Sequence, residues 1–96
     1  MVRRAAKIDN VQPEIVEEFE RLGCKVKSTA GLGGGFPDLI VWGRGNRLVE
    51  VKAKRGKLTP EQAKFFQEWP GPIHIVRSGL EVKALVQEWT KEKPNG

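Results

Sequence analysis

The chain has 96 residues, of which 39% are hydrophobic and 30% charged. This length corresponds to one domain, which excludes a large two-domain enzyme, and the apolar content is sufficient for a folded core. Lysine and arginine outnumber aspartate and glutamate by 17 to 12, and the formal net charge of +5 favours a polyanionic partner such as nucleic acid.

Cysteine and histidine usage narrows the chemistry further. Cys24 is the only cysteine and His74 the only histidine, so a single chain cannot form a disulfide or a Cys/His zinc site. This usage is typical of a reducing compartment, and we expect a cytoplasmic protein, in the host cytoplasm if the source is viral. A membrane-spanning helix needs about 18 consecutive apolar residues, and the apolar runs of this sequence are shorter. The basic start is not followed by the apolar segment of a signal peptide. We therefore expect no membrane association.

The charge and hydropathy patterns divide the chain into three parts. Residues 1–8 form a basic N-terminal arm, in which Arg3 and Arg4 either contact DNA or belong to an ordinary solubilising terminus. Residues 9–90 form a single domain. Residues 91–96 are expected to be a flexible C-terminal tail.

The first half of the chain predicts one helix followed by three strands. Apolar residues recur at helical spacing over residues 10–22, and Asp9 with Gln12 forms a possible capping box. Gly23 is a plausible terminator of this helix. Strands are expected at residues 25–28, 37–42 and 47–54, the last two joined as a hairpin by a turn at 43–46.

A glycine-rich loop lies just before the second strand. Residues 30–36 read AGLGGGF, and glycine allows a backbone to come very close to another group. It is not a Walker loop, because no GK[ST] sequence follows. We expect Gly34 and Gly35 to let a phosphate backbone approach; the alternative is that these glycines only permit a tight turn.

The second half predicts a helix, a strand and a closing helix. The segment 59–62 reads TPEQ, a capping box with proline at the first helical position, and aromatic residues follow at helical spacing. A short strand is expected at 73–76, and apolar residues up to Trp89 mark the last helix. The order is αβββαβα, for which we expect an α/β fold with a mixed β-sheet flanked by helices.

Asp38 and the triplet Glu50-Val51-Lys52 carry the chemical signal. Alternate residues of a strand share a face, so Glu50 and Lys52 project to one side, and Asp38 on the neighbouring strand lies near them. Two converging carboxylates suit Mg²⁺, with the Val51 carbonyl, water and a substrate phosphate as further ligands. Lys52 would orient the water or stabilise developing negative charge. This predicts metal-dependent phosphodiester hydrolysis; the alternative is an ordinary polar pair on a surface strand.

Other polar residues near this pattern have two interpretations each. Gln62 either points towards the Lys52 strand or serves only as a cap partner of its helix. Arg77, at the end of a strand, either reaches phosphate or pairs with an internal acid. A basic cluster directly after the triplet either contacts DNA phosphates or is a solvated loop, and consists of Lys54, Arg55 and Lys57.

These segments together resemble a known family. The succession GGGFPDLIVW, LVEVKAK, LTPEQ with an aromatic helix, and IHIVRS resembles the VRR-NUC branch of the PD-(D/E)XK nuclease superfamily, in particular its stand-alone bacteriophage-type members. The resemblance covers about residues 9–88. It implies a restriction-endonuclease-like fold, with Mg²⁺ or Mn²⁺ held by Asp38, Glu50 and the Val51 carbonyl, and with Lys52 catalytic.

The sequence departs from the family pattern at two places. The triplet that names the family ends in a second arginine, but here it reads Val76-Arg77-Ser78. Many superfamily nucleases complete the metal site with a glutamate on the first helix, whereas the corresponding position here is Gln12, with Glu14 nearby. Glutamine is a weaker ligand, which favours one-metal over two-metal chemistry.

The expected function is that of a metal-dependent DNA endonuclease. Stand-alone members of the resembled family look like four-way (Holliday) junction resolving enzymes, which implies branched DNA as substrate. Two symmetric cuts most simply need two sites related by a twofold axis, so we expect a homodimer without a small-molecule cofactor. The alternatives are a non-catalytic basic DNA-binding module, and a flap or single-strand nuclease that uses the same site.

Overall fold

The structure of the protein is a computed structural model that describes residues 11–92. The predicted arm with Arg3 and Arg4, the capping residue Asp9, and residues 93–96 lie outside the described residues. The predicted order αβββαβα is confirmed, with the elements α1 (Gln12–Arg21), β1 (Lys25–Ser28), β2 (Leu39–Trp42), β3 (Asn46–Val51), α2 (Pro60–Glu68), β4 (Ile73–Val76) and α3 (Gly79–Lys91).

The four strands form one mixed sheet in the order β1-β2-β3-β4. β1 pairs with β2, and β2 with β3, in antiparallel fashion, and the predicted hairpin places Trp42 opposite Asn46. Its turn contains two residues with positive φ, Arg44 at 60° and Gly45 at 119°. β4 runs parallel to β3, as expected for strands connected through a helix. The predicted α/β fold with a mixed sheet is therefore confirmed.

One face of the sheet carries the hydrophobic core. Alternate strand residues point to this face, where α1 and α3 pack against it, and Phe19 of α1 stacks on Trp89 of α3 with ring centroids 6.0 Å apart. Removal of this apolar surface from water is the main favourable contribution to folding, at roughly 25 cal/mol per Å². The side chains of the core that are less than 2% exposed are Ile15, Phe19, Leu39, Val41, Val49, Val76, Val82 and Trp89.

The helix ends differ slightly from those predicted. α1 starts at Gln12, not at residue 10, and its N-cap residue Val11 makes no side-chain capping bond. α3 includes Lys91, which the sequence pattern placed in the tail, and Glu92 follows as its C-cap residue. Glu92 is held in place because its Oε1 accepts a 2.8 Å hydrogen bond from Arg47 Nη2. The local sequence pattern could not predict this contact, because Arg47 and Glu92 are far apart in the sequence.

The opposite face of the sheet is covered only in part, by α2. The predicted capping box is confirmed: Thr59 Oγ1 accepts from Gln62 N at 3.1 Å, and Gln62 Oε1 accepts from Thr59 N at 3.0 Å. Phe65 of α2 packs edge-on against Phe36, at a centroid distance of 5.2 Å. No side chain of α2 is fully buried. Among the helices of residues 11–92, α2 thus leaves much of this second face uncovered.

None of the helices within residues 11–92 has both the length and the apolar character that a bilayer span requires.

Candidate active site

The strand register brings the predicted acidic pair together on the second face of the sheet. Leu39 pairs with Val49 across the β2–β3 hairpin, so the residues one step further, Asp38 and Glu50, lie across from each other. Lys52 follows the end of β3, and its backbone N–H donates to the carbonyl of Val76 at 3.1 Å. The sheet thus places the three residues at one end of β2 and β3.

Glu50 is the buried charged residue of the described structure, with 1% of its surface exposed. Its Oε2 accepts a hydrogen bond from Gln62 Nε2 at 2.9 Å and lies 3.4 Å from Lys52 Nζ. Its Oε1 is buried and has no hydrogen-bond partner among residues 11–92. A buried carboxylate oxygen that accepts no hydrogen bond lowers the stability of the fold. Such an oxygen is typical of a site that binds an ion or another ligand.

Burial and, to a lesser extent, the neighbouring negative charge of Asp38 raise the pKa of the Glu50 carboxyl, while the Lys52 ammonium opposes the rise. The net result is a pKa of about 7 in place of 4.5. Burial and the charge of Asp38 both make the ionised form of Glu50 less favourable. A divalent cation placed between the two carboxylates would remove this penalty.

Asp38 is fixed by contacts on both sides. Its Oδ2 accepts a hydrogen bond from Val51 N at 2.9 Å, and its carbonyl accepts from Thr29 N at 2.9 Å. The Thr29 hydroxyl also donates to the carbonyl of Pro37. The hydrogen bond to the Val51 amide was not anticipated; it ties Asp38 directly to the residue whose carbonyl was predicted as a ligand.

Gln62 connects Lys52 with the buried carboxylate of Glu50. Its Oε1 accepts from Lys52 Nζ at 2.6 Å as well as from the Thr59 amide, while its Nε2 donates to Glu50. Gln62 was predicted either to point towards the Lys52 strand or to cap its own helix, and its side-chain amide does both. The TPEQ sequence was the signal for the cap, but only the packing of α2 shows the contact with Glu50.

The donor set fits a hard divalent cation. The described residues contain no group of three or more His, Cys, Asp or Glu side chains able to hold a metal, so the acidic contribution is the pair Asp38 and Glu50. Oxygen ligands that leave positions for water and phosphate suit Mg²⁺. The unpartnered Oε1 of Glu50 is the observation that supports a ligand here. The carbonyl of Val51 is the further protein ligand we predicted.

The first helix contributes no observed acid to this group. Gln12 is the first residue of α1 and is half-buried, and its place in a metal site stays a prediction. Glu14 Oε2 accepts from Gly79 N at 3.3 Å and so lies at the start of α3.

Arg77 has a role that the sequence did not show. Its Nη1 donates to the carbonyls of Ala53 and Gly56 at 2.8 and 2.7 Å, and lies 3.4 Å from that of Lys54. Within residues 11–92 its guanidinium forms no ion pair with an acid. Arg77 therefore shapes the loop between β3 and α2, and a phosphate contact by this residue stays a prediction.

The loop that Arg77 shapes presents the predicted basic cluster beside Lys52. Lys54, Arg55 and Lys57 are all exposed on it. The structure thus leaves these three side chains accessible to a polyanion, and their contact with DNA stays a prediction.

The two glycines singled out from the sequence differ in their surroundings. At Gly35, with φ of 80°, a Cβ atom would lie 2.5 Å from the carbonyl oxygen of Glu61, so a side chain would push α2 away. At Gly34, with φ of 65°, a Cβ atom would meet nothing within 4 Å. Gly35 thus permits the close packing that brings Gln62 to the site, whereas Gly34 lies on an open side of the loop.

The mixed sheet and the site together define a class. Two carboxylates on adjacent antiparallel strands, with a lysine two residues after the second, form the arrangement of the PD-(D/E)XK nucleases. The family profile described as the VRR-NUC domain matches residues 7–88 of this chain. A solved structure titled "VRR_NUC domain" is similar to it, with 33% sequence identity and a TM-score of 0.59, over 80% of this chain and 90% of that chain.

The chain belongs to the VRR-NUC family, and the resemblance seen in the sequence is confirmed. It is therefore a nuclease domain of the PD-(D/E)XK type that acts on DNA, in a family that generally uses divalent metal ions.

Proposed function

We propose that this protein is a homodimeric, Mg²⁺-dependent endonuclease that resolves four-way DNA junctions. The observation that supports the hydrolytic site is the buried Glu50 carboxylate, whose Oε1 has no donor within the described chain and which lies beside Asp38. Mn²⁺ would substitute for Mg²⁺, because both accept the same oxygen ligands.

Asp38, Glu50 and the Val51 carbonyl would hold the cation. When bound, a divalent cation lowers the pKa of a coordinated water and neutralises charge that develops on the phosphate. The hydrogen bond from the Val51 amide to Asp38 keeps the two ligand residues in register before any cation arrives. Such prior positioning reduces the entropic cost of assembling the site.

Lys52 is the residue that we expect to contact the reacting phosphate. An ammonium has three N–H donors. One is directed at Gln62 Oε1 at 2.6 Å and another faces Glu50 Oε2 at 3.4 Å, which leaves the third for a water or a phosphate oxygen. The side chain is 14% exposed, so its charge is only partly screened by water. Lys52 would thereby stabilise the negative charge that builds up as water attacks phosphorus and the P–O bond to the departing sugar breaks.

Arguments from charge and from symmetry support a branched substrate and a homodimer. The net charge of +5 and the exposed cluster Lys54, Arg55 and Lys57 favour contacts with phosphate over base-specific readout. The described chain has one acidic pair, and paired cuts in a symmetric junction require two such sites related by a twofold axis. These arguments favour recognition of DNA shape by two copies of the chain.

Cleavage of end-labelled DNA tests the proposal. Four-way junction, splayed-arm, linear duplex and single-stranded DNA are incubated with wild type, Lys52→Ala and the control Lys83→Ala, in Mg²⁺, Mn²⁺ and EDTA. Lys83 is an exposed lysine of α3, outside the site. We expect paired symmetric cuts in the junction only, lost in EDTA and with Lys52→Ala but retained with Lys83→Ala.

Other outcomes would replace parts of the proposal. Cutting of flaps or single strands would keep the nuclease and discard the junction as substrate. Salt-dependent binding without metal-dependent cutting would instead indicate a non-catalytic DNA-binding module. A monomer by light scattering at the working concentration, together with full junction cleavage, would contradict the homodimer.

A further inference from the structure

Trp42 is a large aromatic side chain that the core does not use. It ends β2 and is 52% exposed. The neighbouring residues Leu39 and Val41 point into the core, so Trp42 projects to the opposite face together with Ile40 and Asp38. Among the described residues, its indole takes part in no ring stacking or cation–π contact.

The face that carries Trp42 is the face that carries the active site. At about 3.3 Å per residue, the four steps from Asp38 to Trp42 span roughly 13 Å. α2 covers the end near Asp38, where Gln62 contacts Glu50, whereas α1 and α3 cover the other side of the sheet. A ligand that leaves the site along β2 would therefore pass over Trp42.

Two lysines of the edge strand lie beside this path. Lys25 is directly opposite Trp42 in the β1–β2 register, and Lys27 is opposite Ile40. Opposed residues of antiparallel strands project to the same face with Cβ atoms about 5 Å apart. Both lysines are exposed, and within residues 11–92 neither forms an ion pair. β1 and β2 contain no acidic residue, so this part of the surface is positively charged.

We propose that Trp42, Lys25 and Lys27 form a stacking surface for an unstacked base of the DNA substrate. The inference rests on the proposed nuclease function and adds to it a position where the substrate strand is held. The indole would stack on the face of a base, and the two ammonium groups would contact the phosphates beside it. Aromatic side chains bind bases in this way irrespective of their identity, and lysines follow the backbone.

The surface implies a particular kind of substrate. A base inside a continuous duplex has both faces covered, so an indole can stack only where a strand is unpaired or where stacking is interrupted, as at a branch point. In a duplex strand, a span of roughly 13 Å corresponds to about four nucleotides at 3.4 Å each, and an unstacked strand is more extended. We therefore expect the scissile phosphate to lie no more than about four nucleotides from the base that contacts Trp42.

Binding measured in EDTA tests the stacking surface without cleavage. The affinity for fluorescein-labelled branched DNA is compared for wild type, Trp42→Ala, Trp42→Phe and the control Leu80→Ala, which removes an exposed side chain of α3. Loss of one stacked base should weaken binding by at least about five-fold for Trp42→Ala, with partial recovery for Trp42→Phe. The affinity for a fully paired duplex with closed ends should change much less.

The lysines have a separate signature. Replacing Lys25 or Lys27 by alanine should lower the slope of log affinity against log salt by about 0.7 to 0.9 each, whereas Trp42→Ala should leave the slope unchanged. In Trp69→Phe protein the remaining exposed tryptophan is Trp42, since Trp89 is only 1% exposed. Branched DNA should therefore quench the fluorescence of this variant.

Three results would overturn the inference. The first is that Trp42→Ala binds branched DNA as tightly as wild type does. The second is that Trp42→Ala loses as much affinity for the closed duplex as for branched DNA. The third is that the molar mass of Trp42→Ala in solution differs from that of wild type, which would assign the face to a protein partner. A failure of the proposed function is distinguishable from these, because it would appear as absent cleavage by wild type while the binding contrasts in EDTA persist.

Discussion

Glu50 is the residue at which stability and activity should oppose each other. Its carboxyl is buried, and its pKa rises from 4.5 in the unfolded chain to about 7 in the folded protein. A pKa raised on folding means that the folded state binds the proton more tightly, so the associated stability is fully present below pH 4.5 and is lost as the pH rises through about 7. Without a cation, the ionised Glu50 side chain therefore costs stability at alkaline pH.

The size of this cost follows from the two pKa values. The rise from 4.5 to about 7 corresponds to about 3 kcal/mol. Glu50→Gln removes the ionisable group and retains an oxygen that can accept the hydrogen bond from Gln62 Nε2. In EDTA, the free energy of unfolding of the variant relative to wild type should increase by about 3 kcal/mol between about pH 4 and about pH 9. For a chain of this size the corresponding gain in Tm is roughly 12 to 24 °C.

Urea unfolding followed by circular dichroism at both pH values measures this difference. Effects of the substitution on packing are present at both pH values and cancel, which isolates the proton linkage. Glu88→Gln, at an exposed position of α3, is the control and should show little pH-dependent gain. Mg²⁺ should narrow the advantage of Glu50→Gln, because a cation stabilises the ionised pair of wild type. A relative stability that does not change with pH would refute the reasoning.

Three further substitutions separate binding, packing and catalysis. Asp38→Asn should abolish metal-dependent cleavage yet retain or increase DNA affinity in EDTA, measured by fluorescence anisotropy, because a negative charge near the phosphates is removed; a cleaving Asp38→Asn enzyme would contradict the site. Gly35→Ala should lower stability by about 1 to 3 kcal/mol in urea unfolding, because its Cβ would lie 2.5 Å from the Glu61 carbonyl oxygen at a φ of 80°; unchanged stability would show that α2 packs less closely. Arg77→Ala should increase proteolysis of the loop at residues 53–56, whose carbonyls Arg77 holds, and weaken DNA binding; an unchanged digestion rate would contradict its role in shaping the loop.

Local patterns of the sequence were sufficient for the element order and for the expectation that Asp38, Glu50 and Lys52 lie close together. Alternation along a strand placed Glu50 and Lys52 on one face, and TPEQ marked the start of α2. These signals are local because the periods of strands and helices, and the bonds of a capping box, involve residues only a few positions apart. The same locality allowed Asp38 and the Glu50–Lys52 segment to be placed on adjacent strands of one hairpin.

Only the tertiary structure showed how the site is held together. Gln62 reaches Glu50 because α2 folds back onto the second face of the sheet, and that packing requires the bare backbone of Gly35. Arg77 binds carbonyls of a loop more than twenty positions earlier in the chain. Trp42 belongs to an apolar run, yet it is half exposed, because no helix within residues 11–92 covers its end of the sheet. Contacts between segments that are far apart in the sequence depend on how helices and strands pack against one another. Local sequence patterns do not show that packing.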